Sequence, residues 1–404
     1  MSQKKIIESD YIFQYIIKLY DIPGSTPYQT VPSPDVAAWD RLAEPERRRN
    51  LTTLASEQLA HLTDRVAYFQ REPRYRRLAV RSFDDLDPAS GGVPMQTDER
   101  VVRADETDLV PDDARWFTNY GTGGTSGQHK NVLDSRASWD TSVRRMANTT
   151  ERTAAETAEI DSLSERTAYN TYNGNHVTSE MLNRVVYEGG GRAYQRKLGQ
   201  TAEEMLAEMA DLGADMLVCP GRSPQSDKGG SLENLLRIDG EDCYVVNEVE
   251  RVWYSSTPIA EDDLELLRAN DVAVESWYGN TEARAFGYAP PQHPDHPHLV
   301  EGQYFVNGFD EGGAALRRSG EDLLLLVSAV AQSRGDGTVG PHTDTGFFNY
   351  LTGVRATVNP AGECPYHEDC PLRTRTIDMD SHRRLERGVD ADLGCEVDVV
   401  GGDE

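Results

Sequence analysis

The chain has 404 residues, a length for one large or two medium domains and too long for a small binding module. Lys plus Arg number 41 against 68 Asp plus Glu, a formal net charge of −27; such a surface repels phosphate backbones, which argues against a nucleic-acid partner. Apolar residues make up 38%, sufficient for a real core, and no apolar run approaches the roughly 20 residues of a membrane-spanning helix.

Lysine occurs only at 4, 5, 18, 130, 197 and 228, and every other basic residue is Arg. Few Lys, many Arg and a large excess of carboxylate resemble the proteins of salt-in halophiles, where a hydrated acidic shell maintains solubility and molar salt screens the self-repulsion. The cysteines (219, 243, 364, 370, 395) are few and odd in number. A disulfide framework is therefore not expected, and a cytoplasmic setting is. The first 20 residues lack a signal-peptide core.

Residues 1–54 read as a loosely structured N-terminal extension with Pro23, Gly24 and Pro27. A helical pattern runs over 51–78, where Leu54, Leu59, Leu62, Val66 and Phe69 recur at spacings of three to five. Residues 84–113 are polar and loop-rich. From about 165 helix and strand alternate. A helix opening near Ala202 and reaching 212 precedes Gly213 and a buried strand over 215–220. A strand is expected over 245–256, a helix over 261–269 and a strand over 272–277. The most apolar run, 323–330, reads as a central strand. Repeated helix-then-strand units predict an α/β layered domain over 55–350. A β-rich segment with a Cys knuckle is expected at 351–383, and an acidic flexible tail at 384–404.

The first chemical motif is Tyr120-Gly121-Thr122-Gly123-Gly124-Thr125-Ser126-Gly127-Gln128-His129-Lys130. Glycines permit positive φ and close backbone approach, and successive N–H groups with the hydroxyls of Thr122, Thr125 and Ser126 suit phosphate oxygens. The Walker A spacing is absent. A second motif, Trp277-Tyr278-Gly279-Asn280-Thr281-Glu282, follows a strand. It supplies an aromatic face, a hydroxyl and a carboxylate, the residue types that adenine, an α-phosphate and Mg²⁺ require.

These blocks, in this order, resemble the phenylacetate–coenzyme A ligase family of adenylate-forming enzymes, within the acyl-CoA synthetase superfamily. The similarity spans about 55–375. Asn175-His176-Val177-Thr178-Ser179-Glu180 through Gly189-Gly190-Gly191 is similar to the helix after the phosphate loop. Val252-Trp253-Tyr254-Ser255-Ser256-Thr257-Pro258 is similar to the adenine-binding turn, and Tyr278 to Glu282 to the Tyr-Gly-x-[Ser/Thr]-Glu motif. The resemblance implies the large N-terminal domain of those enzymes: layered sheets flanked by helices, plus a small β-rich subdomain. It implies ATP-dependent activation of a small carboxylate to an acyl-adenylate, with transfer to coenzyme A or another thiol. Thr122, Gly123, Gly124, Thr125, Ser126 and Gly127 would bind phosphate, and Ser255, Ser256, Thr257 and Pro258 adenine, with Tyr278 and Gly279 beside them. Thr281 would bind the α-phosphate, Glu282 would hold Mg²⁺, and His176 would shape the acyl pocket.

The sequence also holds the ligand types of a tetrahedral zinc site: the run Gln292-His293-Pro294-Asp295-His296-Pro297-His298 and the knuckle Cys364-Pro365-Tyr366-His367-Glu368-Asp369-Cys370. By resemblance, His293, His298, Cys364 and Cys370 form a structural Zn²⁺ site, with His367 as an alternative ligand because this knuckle is longer than the family's.

The sequence departs from the family at three places. Where the family has a ribose-binding Asp, this chain reads Tyr350-Leu351-Thr352-Gly353-Val354, and Val354 cannot accept hydrogen bonds; Asp344 is the substitute candidate. Lys130 stands two positions late after Gly127. The family's mobile C-terminal domain carries a lysine that stabilises developing charge, and no lysine follows Lys228 here. Three outcomes stay open: a separate protein supplies that domain or accepts the acyl group, adenylation is slow, or the protein no longer catalyses. The alternatives are a non-catalytic nucleotide- or acyl-binding relative, or an acyl-protein synthetase-like enzyme with Cys395 as acyl acceptor.

Overall fold

The computed structural model describes residues 43–97, 101, 104–111, 116–122, 130–157, 160–172, 177–222, 229–239, 243–255, 257–301, 303–310, 316–330, 332–333, 339–341 and 346–384. Helix α1 (Glu44–Arg65) opens with Glu44 and Glu46 in its first turn, where acid complements the dipole, and with Pro45 where no backbone donor is used. Its buried positions Leu51, Ala55, Leu59 and Leu62 recur at helical spacing and lead to Val66 and to Phe69 of the short helix α2 (Ala67–Arg71). The helix expected from residue 51 thus begins earlier, because its first turn is polar and capped rather than apolar. It runs across the domain boundary expected at 54/55.

Strands β1 (Trp116–Thr122) and β2 (Lys130–Ser135) pair antiparallel, Thr122 opposite Lys130. Ser135 then caps α3 (Arg136–Glu156), its hydroxyl accepting from the Ser138 N–H at 3.2 Å. Alternating units follow: β3 (Thr167–Asn170), α4 (Val177–Glu188), β4 (Arg192–Gln195), α5 (Ala202–Leu212), β5 (Met216–Pro220), α6 (Leu232–Asp239), α7 (Tyr244–Asn247), β6 (Arg251–Ser255), α8 (Glu261–Ala269) and β7 (Ala273–Asn280). Helix α5 shows why the local sequence folds so. Thr201 and Glu204 form a reciprocal capping box, and Gly213 ends the helix at φ 61°. The strand expected over 245–256 is shorter than that. Residues 244–247 make the single turn of α7, and Val245 and Val246 are buried in the cluster that holds Met205 and Leu235.

Strands β3 to β7 run parallel in the order β4-β3-β5-β6-β7. Side chains alternate across this sheet. Ala168, Met216, Val218, Trp253 and Trp277 pack in one cluster with residues of α3 and α4; Tyr169, Leu217, Cys219, Val252 and Val274 pack in another with residues of α5 to α8. Helices on both faces leave the central strands mostly apolar, as a parallel sheet requires; the buried charges Arg251 and Glu275 on β6 and β7 pair with each other. The chain passes from β3 outward to β4 and returns past β3 to β5. Strand order therefore reverses between β3 and β5, and ligand crevices in such sheets open at the carboxyl ends beside that reversal.

The sheet continues antiparallel through β8 (Arg284–Ala289), β9 (His298–Leu299), β10 (Tyr304–Phe309), β11 (Leu316–Arg317), β12 (Gly320–Ala329), β15 (Tyr350–Asn359) and β16 (Thr376–Arg384). The 12-stranded order is β11-β10-β12-β15-β16-β9-β8-β7-β6-β5-β3-β4. Strands β13 (Gln332–Ser333) and β14 (Val339–Gly340) form a separate pair. The apolar run 323–330 lies largely within β12, between β10 and β15. Leu324 and Leu326 face the α1 side, while Leu323, Leu325 and Val327 face the other cluster. The boundary expected at 350/351 falls at the start of β15, and the sheet continues across it. No helix among the described residues is long and apolar enough to cross a membrane.

Candidate functional site

Strands β3, β5, β6 and β7 end on one edge. Tyr172, two residues beyond β3, donates its hydroxyl to the Ser255 carbonyl at 2.8 Å. The Thr257 hydroxyl accepts from the Arg222 N–H at 2.8 Å and donates to the Arg222 carbonyl at 2.6 Å. Gly221 makes this closeness feasible, since a Cβ there would lie 2.5 Å from the Thr257 carbonyl oxygen and 2.7 Å from that of Pro258. The turn carrying Ser255, Thr257 and Pro258 is thereby fixed against the ends of β3 and β5.

The neighbouring β7–β8 hairpin carries Tyr278 to Glu282. Asn280 pairs with Arg284, so Thr281, Glu282 and Ala283 form its loop. The Asn280 side chain accepts from the Ala283 N–H at 2.7 Å, and Arg284 closes the hairpin at φ 55°. Gly279 is required here, because an added Cβ would lie 1.8 Å from the Arg284 carbonyl oxygen. Tyr278 is half-buried. Its ring stands perpendicular to Phe286 (5.3 Å) and His382 (5.7 Å), and its hydroxyl is 3.1 Å from His382 Nε2. Glu282 is 8% exposed and accepts from the Tyr350 hydroxyl at 3.1 Å. A carboxylate so enclosed is oriented by its neighbours and suits a hard cation.

Of the residues named from the sequence, Ser255, Thr257, Pro258, Tyr278, Gly279, Thr281 and Glu282 all lie on the ends or loops of the adjacent strands β6 and β7. Thr122 ends β1 opposite Lys130. Gly123, Gly124, Thr125, Ser126, Gly127, His176, Ser256, Asp344 and Cys395 lie outside the described residues. Val354 points into the core with Leu325, Ala356 and Ile377. Sequence reasoning missed His382 and the hydroxyl of Tyr350. Both come from strands remote in sequence, and no local pattern marks them.

A second site lies on the loop after β8. His293, His298, Cys364 and Cys370 are all buried, with ligand atoms within 4.8 Å of one another. His293 Nε2 is 3.2 Å from Cys364 Sγ and 3.3 Å from Cys370 Sγ; His298 Nε2 is 3.3 Å from Cys370 Sγ. The N···S edge of a tetrahedral zinc site is about 3.5 Å for ordinary Zn–N and Zn–S bonds, so the donor set fits that ion. The Nδ1 atoms face backbone carbonyls: His293 that of His296 at 3.0 Å, His298 that of Thr374 at 3.2 Å. An Nδ1–H donated to a carbonyl leaves Nε2 as the free ligand atom. Burial pushes His293 down to about 4 and His298 down to about 3, so both rings are neutral at pH 7. Burial pushes the Cys370 thiol up to about 12, a preference that a bound cation would reverse. His367 is not in this group; its Nδ1 accepts from the Asp369 N–H at 3.2 Å.

The two sites are joined. Tyr254 and Ser276 pair across β6 and β7. The Tyr254 hydroxyl lies 2.9 Å from the Pro294 carbonyl oxygen, and the Ser276 hydroxyl donates to the same oxygen at 2.6 Å. The histidine loop is thus bonded to β6 and β7, the strands that carry the first group of candidate residues.

No family model matches the chain, and no curated protein matches it in sequence. Solved structures do match its fold. An open conformation of 2-hydroxyisobutyryl-CoA ligase in complex with 2-HIB-AMP and CoA superposes with a TM-score of 0.64 at 11% identity, covering 88% of this chain and 79% of that one. The same ligase in the thioesterification state, with 2-HIB-AMP and CoA, gives 0.64 at 12% identity and covers 88% and 71%. In the postadenylation state with 2-HIB-AMP it gives 0.63 at 13% identity and covers 88% and 70%. The fold is that of the N-terminal domain of adenylate-forming enzymes. At such identity the likeness establishes architecture alone.

Proposed function

We propose that this chain activates a small carboxylate with ATP and Mg²⁺, forming an acyl-adenylate that passes to coenzyme A or another thiol, as in phenylacetate–coenzyme A ligases. In this reading a carboxylate oxygen attacks the α-phosphorus and pyrophosphate leaves. The supporting observation is the hairpin that holds Tyr278, Thr281 and Glu282 beside the Ser255–Pro258 turn, at the carboxyl edge of a sheet of this fold. Tyr278 presents an aromatic ring for adenine, Thr281 a hydroxyl for the α-phosphate, and Glu282 the carboxylate for Mg²⁺. His293, His298, Cys364 and Cys370 hold a structural Zn²⁺ that fixes the loop and takes no part in the chemistry. A separate protein carrying a lysine would supply the charge stabilisation that the resemblance assigns to a mobile domain.

The test is thermal shift with ATP or AMP and Mg²⁺ in molar KCl, then pyrophosphate exchange across a panel of carboxylates. A real site raises the melting temperature by mass action, and Glu282→Ala and Tyr278→Ala should abolish the rise. No rise at millimolar nucleotide rejects the reading. Val354 lies in the core, and by resemblance it stands where the family has its ribose-binding Asp; this favours a second reading, a nucleotide-binding relative without catalysis. That reading predicts a thermal shift without pyrophosphate exchange.

A further inference from the structure

Arg284 occupies a left-handed backbone position, φ 55°, at the base of the Thr281–Ala283 loop. Glycine is the ordinary residue at such a hairpin position, so a large charged side chain there needs a reason. The side chain supplies one. Its guanidinium is 1% exposed and forms an ion pair with Asp134, itself 2% exposed, near the end of β2. It donates to the Ser138 hydroxyl at 2.7 Å, to the Ser142 hydroxyl at 3.3 Å and to the Tyr304 hydroxyl, and it lies 5.6 Å from the ring centre of Trp139. One side chain at the root of the hairpin therefore touches β2, the first turns of α3 and the start of β10.

Stability does not explain this arrangement. A buried ion pair is commonly no more stabilising than an apolar pair of the same volume, since desolvation offsets the attraction. What the pair does supply is direction, because a guanidinium fork with fixed partners admits few orientations. We infer that Arg284 is a positioning residue: anchored on Asp134, it sets where Thr281 and Glu282 stand relative to β2 and α3. Its catalytic meaning rests on the proposed roles of Thr281 and Glu282; its geometric meaning does not.

The experiment compares full-length wild type with Asp134→Leu/Arg284→Met, Asp134→Asn and Arg284→Lys. Two quantities are read: amide hydrogen exchange over residues 279–285 and the steady-state constants of pyrophosphate exchange. The apolar double variant is expected to melt within a few degrees of wild type. Its 279–285 amides should exchange at least about tenfold faster, as local opening without global unfolding predicts. Its kcat should fall about 100-fold, the cost of a small misplacement, with the ATP KM little changed. Arg284→Lys should recover part of kcat. Unchanged exchange over 279–285 in the double variant, or an unchanged kcat, overturns the inference. If the double variant does not fold, Asp134→Asn gives the same two readouts. Should wild type show no pyrophosphate exchange with any carboxylate, the proposed activity fails, and amide exchange alone decides whether the pair fixes the hairpin.

Discussion

The Tyr350 hydroxyl donates to Glu282 Oε1 at 3.1 Å, joining the first residue of β15 to the tip of the β7–β8 hairpin across 68 positions of sequence. Tyr350 is itself buried at 2% exposure. A carboxylate with so fixed an orientation suits the Mg²⁺ role proposed for Glu282. Tyr350→Phe keeps the ring and deletes the bond, at a cost of about 1.5–3 kcal/mol for a hydrogen bond to a charged group. The expected result is a lower melting temperature and a smaller Mg²⁺-dependent shift with ATP. Thermal melts with and without Mg²⁺ check this, and an undiminished Mg²⁺-dependent shift counts against the role given to Glu282.

The Cys/His group predicts about one zinc per chain by elemental analysis. Chelation should lower the melting temperature, and at a metal concentration a thousandfold above Kd the loss is about 4 kcal/mol. Cys370→Ser should leave the protein unable to retain the ion. Metal-free protein with the same melting temperature before and after zinc addition would dismiss the site.

Acid stability turns on Glu301. Burial alone would raise its pKa, but the Arg318 and Arg375 guanidinium groups outweigh burial and hold the carboxyl down to about 2. A group depressed from its ordinary 4.5 stabilises the fold above that value and loses the contribution as pH falls from 4.5 through 2. Melting temperature should therefore drop over that window. Glu301→Gln should be destabilised at pH 7 by about 3–5 kcal/mol, since it leaves two buried cations less compensated, and should show a flatter acid limb. Denaturant melts at pH 7, 4.5 and 3 measure both effects.

Gly279→Ala places a Cβ 1.8 Å from the Arg284 carbonyl oxygen, so the hairpin must open to admit it. A loss of more than about 2 kcal/mol is expected, together with loss of any nucleotide-dependent shift. Leu198→Ser is the control. Leu198 is 96% exposed, and its substitution should change stability by less than about 0.5 kcal/mol. Equal effects of the two would mean that the hairpin is not packed as described.

Local chemistry made the parallel half legible. The Thr201–Glu204 capping box and Gly213 bound α5, and an apolar run next to them could only be a strand covered on both faces. The Tyr278–Glu282 turn was visible because its residue types and its strand lie together in sequence. His293, His298, Cys364 and Cys370 were picked out by residue type and by resemblance, and the fold brings them within 4.8 Å. Three features were hidden for physical reasons. The start of α1 is polar and carries no periodicity. Val245 and Val246 look like strand but are recruited by the helical layer of α5 and α6. The contacts of His382 with Tyr278, and of Arg284 with Asp134, depend on pairings 104 and 150 residues apart, which no window of sequence contains.

Strand β16 is the last described element, yet it lies inside the sheet, bonded to β15 on one side and β9 on the other. During synthesis the antiparallel half therefore stays open until residue 384 has emerged, and the edges of β9 and β15 are exposed as templates for intermolecular pairing. Fragments ending before residue 376 should aggregate rather than fold. Closure of the sheet should be slow once residues 376–384 are available, because strands so distant in sequence must find each other first.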